Sequence, residues 1–487
     1  MKLKKIFQGI PNCSIKGSKE CNVTGICANS TLVAPGNLYI AKKGSSFDGA
    51  RFIPDAIAAG AVAILTDIYD PFFSHVTQII HPHVSAIEAQ VVATYHGFPD
   101  QSLLLVGITG TNGKTTCSYL VKHILDLSEM NCGLIGTIEV INGKNYIPAV
   151  RSTPDVTSNY KFLHEMVANG CKSACMEVTS HALDQGRVAG LDFDIAIFTN
   201  LNHEHLDYHL TMEKYSEAKA KLFSSLNMSS KKKYPKVAIM NQDSPYTQLL
   251  LKACPAKVLT YGILQKADFM AKDITLSEKG LRFTLIFEGK SYPVTSSLIG
   301  RFNVYNCLAA LSFGVAAGIP LSKVIESLRS FSQVCGRLEK VPNKKGLSIY
   351  VDYAHKVDAL QNVLSTLKEI TKGKLITVFG CGGNRDIIKR PLMAKVSEEL
   401  SDCTIVTSDN PRSEDPEKII HDILQGFTSP SKAIVEINRK EAIRKAIQMA
   451  KKEDVIIIAG KGHETYQIFA NQTIDFDDRK IAKELCE

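Results

Sequence analysis

Short apolar runs, each followed by a polar loop, recur along the first half of the chain. Residues 38–41 and 61–65 show this pattern and predict strands, and residues 54–59 between them predict a helix. Further along, the predicted strands are residues 103–106, 173–178, 195–200 and 237–241. Strands that alternate with helices are typical of a mostly parallel sheet covered by helices.

The pattern changes near residue 268 and returns near residue 335. Residues 268–299 predict antiparallel strands around two charged turns, and a helix is predicted over 304–317. The final region repeats the strand-and-loop pattern at 375–379, 404–407 and 455–459. Ligands bind beyond the carboxyl ends of strands in open parallel sheets, so the loops after these strands would share one ligand-binding edge.

Chain length and these changes of pattern together predict an α/β protein with three domains. A single hydrophobic core stops growing at about 250–300 residues, and this chain has 487. We expect a small N-terminal α/β domain at residues 1–100 and a central P-loop domain with a parallel sheet at 101–334. A Rossmann-like α/β domain would follow at 335–487.

Charge and cysteine usage narrow the class of protein. The net charge is +8, but the three lysines at 231–233 have no interleaved aromatic residues, which favours solvated loop charges over nucleic-acid binding. The 13 cysteines form no Cys-x-x-Cys pair, which favours reduced thiols over disulfides or a zinc site. The amino-terminal segment lacks the apolar core of a signal peptide. No apolar run approaches the roughly 18–20 residues that span a bilayer, so we expect a cytoplasmic protein.

Residues 107–116 have the composition of a nucleotide-binding loop. They follow an apolar run and read Gly-Ile-Thr-Gly-Thr-Asn-Gly-Lys-Thr-Thr. Glycines let backbone N–H groups approach phosphate oxygens, Lys114 adds a charge for the terminal phosphates, and the Thr115 hydroxyl can bind magnesium. Ile108 stands where the usual loop has its first glycine. The variant loop is built on Gly107, Gly110 and Gly113. The alternative is an ordinary strand–turn–helix junction.

Other chemically distinctive residues follow this loop. Glu177 ends an apolar strand, where a carboxylate is well placed for magnesium or is simply solvated. Residues 203–209 contain three histidines and two acids. Zinc is conceivable there, but His-x-His without a third spaced ligand is weak support, and magnesium or manganese suits a nucleotide site better. The local pattern predicts that Lys219 and Lys221 are surface charges on a helix.

These motifs resemble those of the Mur ligases, in one order through the whole chain. The first matches are the loop at 107–116, Met-Glu-Val-Thr-Ser-His at 176–181, His-Leu-Asp-Tyr-His at 205–209 and Ala-Lys at 218–219. The later matches are Asn303, Asn306, Gly336, Arg337 and Asp-Tyr-Ala-His at 352–355. Within that family, the chain is most similar to the members that add the third peptide residue to UDP-N-acetylmuramoyl-L-alanyl-D-glutamate.

The resemblance implies an ATP-dependent amide ligation in peptidoglycan precursor synthesis. ATP would phosphorylate the D-glutamyl γ-carboxylate of the acceptor, and an amine would attack the acyl phosphate and expel phosphate. Mg²⁺ and Lys114 would neutralise the repulsion between the carboxylate and the triphosphate. In chain order, the three domains would bind the UDP-substrate, ATP and the amino acid, and their closure would exclude water. We expect a monomer.

The resemblance also assigns the reaction centre, residue by residue. The catalytic residues would be Lys114, Lys219, Glu177 and His205. The metal would be held by Thr115, Glu177, His205 and Lys219. ATP would contact Gly110, Thr111, Asn112, Gly113, Lys114, Thr115, Thr116, Asn303, Arg337, Asp352 and His355. Lys219 matches the family's carbamylated lysine, which would be an anion beside magnesium, so here the resemblance and the local pattern disagree.

The residues of the family's acceptor-binding site are also matched in this chain, but some of its motifs differ. The UDP-muramoyl-dipeptide would be held by Ser30, Ser45, Ser46, Phe47, Ser152, Thr153, Ser180, Gln185 and Arg187. The family's usual Asp-Ser-Arg reads Asn29-Ser30-Thr31 here, and its His-Gln-like pair reads Ser45-Ser46, so charged uridine contacts are missing. Val357 replaces a proline after the Asp-Tyr-Ala-His motif, which affects loop rigidity more than chemistry.

The amino acid to be added is indicated by Asp-Asn-Pro-Arg at 409–412. This matches the family members that add meso-diaminopimelate, whereas the lysine-adding members lack that arginine. Diaminopimelate has an additional carboxylate, which a guanidinium can bind bidentately. Glu464 would pair with an ammonium group. The amino acid would contact Arg385, Asp409, Asn410, Pro411, Arg412, Gly460 and Glu464.

Rival functions come from two classes. A lysine-adding Mur ligase lacks the arginine of the Asp-Asn-Pro-Arg motif, and a folylpolyglutamate synthase shares the nucleotide domain and acyl-phosphate chemistry but needs no uridine-binding domain. A non-catalytic nucleotide switch or motor would use the phosphate loop alone. It would not need Arg385, Arg412 and Glu464 on the loops of the third region, which suit a small zwitterionic substrate.

Overall fold

The computed structural model describes residues 1–44 and 48–487, and their backbone packing forms two compact units. Unit 1 comprises Met1–Lys114, Val121–Thr260 and Ser312–Pro320. Unit 2 comprises Thr115–Leu120, Tyr261–Leu311 and Leu321–Glu487. Ser45, Ser46 and Phe47, which the resemblance assigns to the UDP-substrate, lie outside the described residues.

Unit 1 begins with a sheet that contains the strands predicted near 38–41 and 61–65. Its strands are β1 (Ser14–Lys16), β2 (Gly25–Cys27), β3 (Asn37–Ile40), β4 (Ala63–Thr66) and β5 (Thr77–Ile80), in the spatial order β1-β5-β4-β3-β2. Its helices are α1 (Leu3–Ile6), α2 (Ile53–Ala58) and α3 (Val84–His96). Strands β2 to β5 pair in parallel and β1 is antiparallel to β5.

A second sheet of unit 1 carries the phosphate loop. The strands are β6 (Leu104–Thr109), β7 (Cys132–Ile135), β8 (Glu139–Ile141), β9 (Tyr146–Pro148), β10 (Ser173–Glu177), β11 (Ile195–Phe198), β12 (Val237–Asn241) and β13 (Lys257–Gly262). The helices are α4 (Lys114–Leu127), α5 (Val156–Ala168), α6 (Ser180–Asp184), α7 (Leu206–His209), α8 (Met212–Ser224) and α9 (Thr247–Ala253), and Thr115–Leu120 of α4 belong to unit 2. Strand β6 lies between β10 and β11, parallel to both, and every residue of these three strands is buried.

Parallel pairing of these strands positions the candidate chemistry. Apolar residues on both faces of a central strand require cover on both sides, which the helices provide. The carboxyl ends of β6, β10 and β11 therefore meet at one edge of the sheet. The loops that follow them contain Gly110, Glu177 with its successors, and Thr199 with Asn200.

Unit 2 contains an antiparallel ribbon and a mostly parallel sheet. The ribbon is β14 (Phe269–Ser277), β15 (Gly280–Phe287) and β16 (Lys290–Ser296), followed by α10 (Arg301–Ala316) and α11 (Leu321–Ser330). The later strands are β17 (Glu339–Lys340), β18 (Ser348–Asp352), β19 (Leu375–Phe379), β20 (Cys403–Val406), β21 (Ile434–Val435), β22 (Val455–Ala459), β23 (Tyr466–Ile468) and β24 (Thr473–Asp475). The later helices are α12 (Val357–Ile370), α13 (Lys389–Leu400), α14 (Pro416–Leu424), α15 (Arg439–Met449) and α16 (Asp478–Glu484).

The mostly parallel sheet of unit 2 has the order β17-β18-β22-β19-β20-β21. Its pairs from β18 to β21 are parallel, and apolar layers cover both faces. The three predicted strands of the final region are confirmed within one residue as β19, β20 and β22. Their loops leave from the carboxyl edge together with the loop after β18, as the sequence pattern predicts.

Two further expectations can be compared with the described residues. Every cysteine of the sequence lies within them, and each is a free thiol. Among the helices of the described ranges, none combines the length and apolar character needed to cross a membrane.

Acid should weaken unit 1 through His96, at the carboxyl end of α3. Burial, followed by the nearby His164 and Lys161, lowers the pKa of His96 to about 4. A partly buried imidazole with a lowered pKa binds fewer protons than the same group in the unfolded chain, so the free energy of unfolding falls as the pH drops from about 6.5 to 4. We expect His96→Gln to reduce this fall by about 1–2 kcal/mol, after allowing for solvent screening.

The measurement is urea unfolding of the wild-type and His96→Gln proteins at pH 7.5 and pH 5. The variant should lose less stability between the two values. An equal loss in both proteins would show that His96 is not responsible.

Candidate active site

The phosphate loop is shaped by two glycines. Gly110 has φ of +150° and Gly113 has φ of +84°, conformations that favour glycine, and α4 begins directly after Gly113. A Cβ on Gly110 would overlap the Thr199 hydroxyl. The first amides of a helix have no acceptor within the helix and attract anions, so the start of α4 at Lys114 presents donors suited to phosphate.

The loop after β11 holds the phosphate loop in place. Thr111 N donates to Asn200 O at 2.8 Å, and Asn112 N donates to Asn200 Oδ1 at 2.9 Å. The Thr199 hydroxyl donates to Asn112 O at 2.7 Å. The sequence reasoning assigned no role to Thr199 or Asn200. Their position directly after β11, which pairs with β6, was the sequence feature that could have indicated this contact.

Two lysines meet at this loop. Lys114 Nζ donates to Gly110 O at 2.9 Å and to Thr111 O at 2.8 Å. Lys219, on α8, donates from Nζ to the same Gly110 O at 3.0 Å and is only 1% exposed. Burial lowers the pKa of Lys219 well below its usual value, and the charge of Lys114 lowers it further. The local prediction of a surface charge is wrong for Lys219, because the tertiary fold covers its face of α8.

Aromatic side chains surround Lys219 in unit 1. Its Nζ atom lies 4.6 Å from the centre of the Tyr215 ring, and the Tyr215 hydroxyl lies 3.1 Å from Thr111 Oγ1. His205 has φ of +58°, and its ring centre lies 4.7 Å from that of His181. Burial, followed by the charges of His181 and Lys219, lowers the pKa of His205 to about 4. The neutral imidazole keeps a lone pair that can bind a cation.

Glu177 ends β10 with a fully buried side chain whose two oxygens are held by one residue. Thr137 N donates to Glu177 Oε1 at 2.8 Å, and Thr137 Oγ1 donates to Oε2 at 3.0 Å. Thr153 Oγ1 donates to the Glu177 carbonyl oxygen at 2.8 Å. The carboxylate is thereby fixed in one orientation. The sequence reasoning missed Thr137, because its contact with Glu177 joins residues 40 positions apart.

The donor set near Glu177 fits magnesium better than a metal that needs a full protein cage. Within residues 1–44 and 48–487, no group of three or more His, Cys, Asp or Glu side chains is arranged to hold a metal ion. Mg²⁺ keeps several waters and uses one or two carboxylates together with substrate phosphates. A fixed carboxylate at Glu177, beside a phosphate loop, meets that requirement.

The residues expected at the acceptor peptide lie together in unit 1. Arg187 Nη1 donates to Thr153 O at 3.2 Å, and Gln185 Oε1 accepts from Arg187 Nη2 at 2.6 Å. Ser180 Oγ lies 3.0 Å from His209 Nε2. Ser152 Oγ lies 2.8 Å from Thr137 Oγ1. Ser30 lies in a 3₁₀ turn at Ser30–Leu32, where the Asn29 side chain accepts from Thr31 N.

Unit 2 contains the later residues that are expected to contact the nucleotide. Arg337 Nη2 donates to Thr115 Oγ1 at 3.2 Å, and the Arg337 guanidinium lies 5.0 Å from the Tyr353 ring. The Asp352 carboxylate accepts from Leu338 N at 2.7 Å, and burial raises the pKa of Asp352. His355 follows, and burial lowers its pKa to about 4.

Asn303 lies on α10, on the buried side of the helix. It receives a hydrogen bond from Asn306 Nδ2 at Oδ1, at 2.8 Å, and donates from Nδ2 to Ile299 O at 2.8 Å. The Asn306 amide oxygen in turn lies 3.3 Å from Cys117 Sγ on α4. This series of contacts links the asparagine pair of α10 to Cys117, the fourth residue of α4.

Glycines allow three turns of unit 2 to touch. A Cβ on Gly336 would overlap the backbone of Gly462 and His463. A Cβ on Gly462 would lie 2.6 Å from Tyr353 Cβ. Both glycines have positive φ, +64° and +55° respectively. The turns that carry Arg337, Tyr353 and Glu464 therefore pack against one another.

The residues of unit 2 that are expected to bind the amino-acid substrate form a charged cluster. Asn410 Nδ2 donates to Glu464 Oε2 at 2.8 Å, and Lys461 Nζ donates to the same oxygen at 3.0 Å. Lys461, fully buried, also donates to Asn410 Oδ1 at 3.1 Å. Arg412 Nη1 donates to Gly383 O at 2.8 Å. The sequence reasoning missed Lys461, which fixes Glu464 from three residues away.

Three other expected residues complete this cluster, and one lies apart. A Cβ on Gly460 would lie 2.7 Å from Asp409 Oδ2, and no donor among the described residues reaches that buried oxygen. Pro411 is buried between Asn410 and Arg412. Arg385 is exposed, and its Nη1 donates to Asn384 O at 3.1 Å. Its guanidinium is not joined to the cluster by any hydrogen bond seen in the described chain.

Three successive regions of the chain match models of one family. Residues 22–96 match the model described as Mur ligase family, catalytic domain. Residues 108–314 match the Mur ligase middle domain, and residues 336–462 match the Mur ligase, glutamate ligase domain. A UDP-N-acetylmuramoyl-L-alanyl-D-glutamate–2,6-diaminopimelate ligase of Bacillus cereus is 42% identical over 484 residues, which cover 99% of this chain and 98% of that relative. The chain belongs to the Mur ligase family.

Solved structures agree with this membership. A UDP-N-acetylmuramoyl-L-alanyl-D-glutamate–2,6-diaminopimelate ligase aligns with this Mur ligase at a TM-score of 0.70 and 32% identity, covering 100% of this chain and 98% of that one. A Mycobacterium tuberculosis folylpolyglutamate synthase complexed with ADP has a TM-score of 0.64 at 18% identity, covering 77% and 92%. The second likeness shows a shared fold alone. The predicted α/β fold with three domains is confirmed.

Proposed function

We propose that this Mur ligase joins meso-2,6-diaminopimelate to UDP-N-acetylmuramoyl-L-alanyl-D-glutamate at the expense of ATP, as a step of peptidoglycan precursor synthesis. The observation that carries the choice of amino acid is the cluster in unit 2. There Arg412 provides a cation and Glu464 provides an anion. Asn410 lies between them, because its Nδ2 donates to Glu464 Oε2 and its backbone oxygen accepts from Arg412 Nη1. Such a cluster suits a zwitterion that has a second carboxylate.

The reaction would proceed in two steps. The acceptor's γ-carboxylate oxygen attacks the terminal phosphorus of ATP, an O–P bond forms, and ADP leaves. The amine nitrogen of diaminopimelate then attacks the acyl carbon, a C–N bond forms, inorganic phosphate leaves, and the nitrogen loses a proton. Negatively charged oxygen atoms attack or leave in both steps. The protein's main contribution is therefore to hold positive charge where that negative charge develops.

Residues of the phosphate loop would supply this charge. The amides at the start of α4 would bind phosphate oxygens, and Lys114 would exchange its carbonyl contacts at Gly110 and Thr111 for the terminal phosphates. Arg337, which now contacts the Thr115 hydroxyl, would bind the same anionic groups. Asn303, Asp352 and His355 would hold the rest of the nucleotide.

Mg²⁺ would be held by Glu177, by the neutral imidazole of His205, by Thr115 and by Lys219 in its carbamylated form. When bound, it would neutralise phosphate charge during transfer. Carbamylation joins the Lys219 nitrogen to the carbon of CO₂ and releases one proton, which requires a neutral amine. Burial and the charge of Lys114 lower the pKa of Lys219, which favours that neutral amine.

The acceptor and the amino acid would be bound by two separate groups of residues. Ser152, Thr153, Ser180, Gln185 and Arg187 would hold the muramoyl-dipeptide, with Ser30 and residues 45–47 at the uridine nucleotide. Arg412 and Arg385 would bind the second carboxylate of diaminopimelate, and Glu464 would bind an ammonium. Asp409, Asn410, Pro411 and Gly460 would shape that pocket. Domain limits at 1–100, 101–334 and 335–487, a monomeric state and a cytoplasmic location stay predictions.

Phosphate release measured with paired substrates tests the function. We expect release only when ATP, Mg²⁺, the UDP-muramoyl-dipeptide and meso-diaminopimelate are all present, and we expect it to fall sharply with L-lysine. Equal turnover of lysine would overturn the choice of amino acid. Turnover of a folate acceptor would favour the folylpolyglutamate synthase, and hydrolysis without either substrate would favour a nucleotide switch.

Replacing Arg412 by lysine should weaken the use of diaminopimelate. A lysine keeps the charge but cannot make a two-pronged contact with a carboxylate. Losing one charge-assisted hydrogen bond of about 1.5–3 kcal/mol predicts a drop of about 10- to 100-fold in kcat/KM for diaminopimelate, with KM for ATP unchanged. Arg444→Lys is the matched control, because Arg444 is half-exposed on α15 and pairs with Glu441. An unchanged KM for diaminopimelate in Arg412→Lys would contradict the assignment.

A further inference from the structure

Thr137 lies between the expected metal carboxylate and the expected acceptor residue. It contacts Glu177 twice, through its backbone N–H at 2.8 Å and its hydroxyl at 3.0 Å. The same hydroxyl oxygen lies 2.8 Å from Ser152 Oγ. A Cβ on the preceding Gly136 would lie 2.9 Å from Glu177 Oε1, so the glycine permits this close approach.

The direction of these hydrogen bonds follows from counting protons. A carboxylate only accepts, so the single hydroxyl proton of Thr137 is directed to Glu177 Oε2. The bond between Thr137 and Ser152 must then be donated by Ser152. Ser152 Oγ is left with lone pairs and no free proton. It can accept a hydrogen bond from the acceptor, for example from a peptide N–H, but cannot donate one to a carboxylate.

The next residue strengthens the same link through the backbone. Thr153 Oγ1 donates to the Glu177 carbonyl oxygen at 2.8 Å and accepts from Thr179 N at 3.1 Å. Ser152 thus holds the side chain of Glu177 by way of Thr137, and Thr153 holds the backbone of Glu177. An acceptor bound at residues 152 and 153 would therefore strengthen the hold on a carboxylate that Thr137 already orients.

We propose that Thr137 is a positioning residue that couples binding of the acceptor at Ser152 to binding of a divalent cation at Glu177. The inference rests on the proposed function, because it takes Ser152 as an acceptor contact and Glu177 as a cation ligand. Groups that orient metal ligands change metal affinity by about 10- to 100-fold when they are removed. Coupling is reciprocal, so the cation strengthens acceptor binding by the same factor.

Cation binding is measured directly with Mn²⁺ by electron paramagnetic resonance, without turnover. Protein holding a non-hydrolysable ATP analogue is titrated with Mn²⁺ in the presence and absence of the UDP-muramoyl-dipeptide. In the wild type the acceptor should lower the Kd for Mn²⁺ by about 5-fold or more. In Thr137→Val, which keeps the shape and the backbone N–H, the Kd should rise about 10-fold and the acceptor should change it less than about 2-fold.

Three variants separate positioning from a general structural effect. Thr137→Ser restores the hydroxyl and should restore the affinity and the coupling. Ser152→Ala should abolish the coupling while leaving the Mn²⁺ affinity without acceptor within about 2-fold, since Thr137 still holds Glu177. Thr94→Val, on α3 with its hydroxyl bonded to Gln90 O, is the matched control and should behave as the wild type.

The outcomes distinguish this inference from the proposed function. Coupling that persists in Thr137→Val, or that is lost equally in Thr137→Ser, would overturn the role of Thr137. If Thr137→Val does not fold, Ser152→Ala decides, and coupling that persists there would overturn the relay. Failure of the wild-type protein to bind the UDP-muramoyl-dipeptide by calorimetry would instead overturn the proposed function.

Discussion

Lys219→Met is expected to reduce ligation by about 10³-fold, because it removes a placed charge from the centre of phosphoryl transfer. Methionine fills a similar volume and suits the buried site on α8. The thermal midpoint should therefore stay close to that of the wild type. The measurement is phosphate release at saturating ATP, UDP-muramoyl-dipeptide and diaminopimelate.

The same prediction extends to dissolved CO₂. If Lys219 acts as a carbamate, wild-type activity should fall in CO₂-depleted buffer and return when bicarbonate is added, while Lys219→Met should not respond. Lys221→Met is the matched control, because Lys221 is half-exposed on the same helix and pairs with Asp184 at 2.8 Å. A Lys219→Met enzyme that keeps more than a tenth of wild-type activity would remove Lys219 from the reaction centre.

Periodic signals in the sequence predicted much of the fold. Buried parallel strands have long apolar runs, so β10, β12, β19 and β22 were found within about one residue. The predicted ribbon over 268–299 is also present as β14 to β16. Short strands with mixed polarity, such as β8 and β9, gave no comparable signal. Their pairing depends on neighbours in space.

The candidate site was predictable only where a residue lies in a motif. Local pattern placed Lys219 on the surface of α8, and only the family resemblance indicated a role beside the metal. Thr137 and Lys461 were missed because their partners, Glu177 and Asn410, lie 40 and 51 positions away. Hydrogen-bonded partners of a motif residue have no fixed spacing, so a periodic reading of one sequence cannot find them.

Lys114→Met should lower kcat/KM for ATP by about 10³-fold, because it removes the cation that would exchange its contacts with Gly110 O and Thr111 O for the terminal phosphates. Lys122→Met on the same helix is the control, because Lys122 pairs with Asp126 at 2.6 Å. Retained affinity for ATP with full ligation in Lys114→Met would contradict a phosphate-binding role.

The residual activity of Lys114→Met should also respond differently to pH. The charge of Lys114 is the second cause, after burial, of the lowered pKa of Lys219. Removing that charge favours the protonated amine, so the pKa of Lys219 rises and a higher pH is needed to form the neutral amine that reacts with CO₂. The acidic limb of the pH–rate profile should therefore move to higher pH in Lys114→Met and stay in place in Lys122→Met. A limb that does not move would mean that the two lysines act independently, despite sharing the carbonyl oxygen of Gly110.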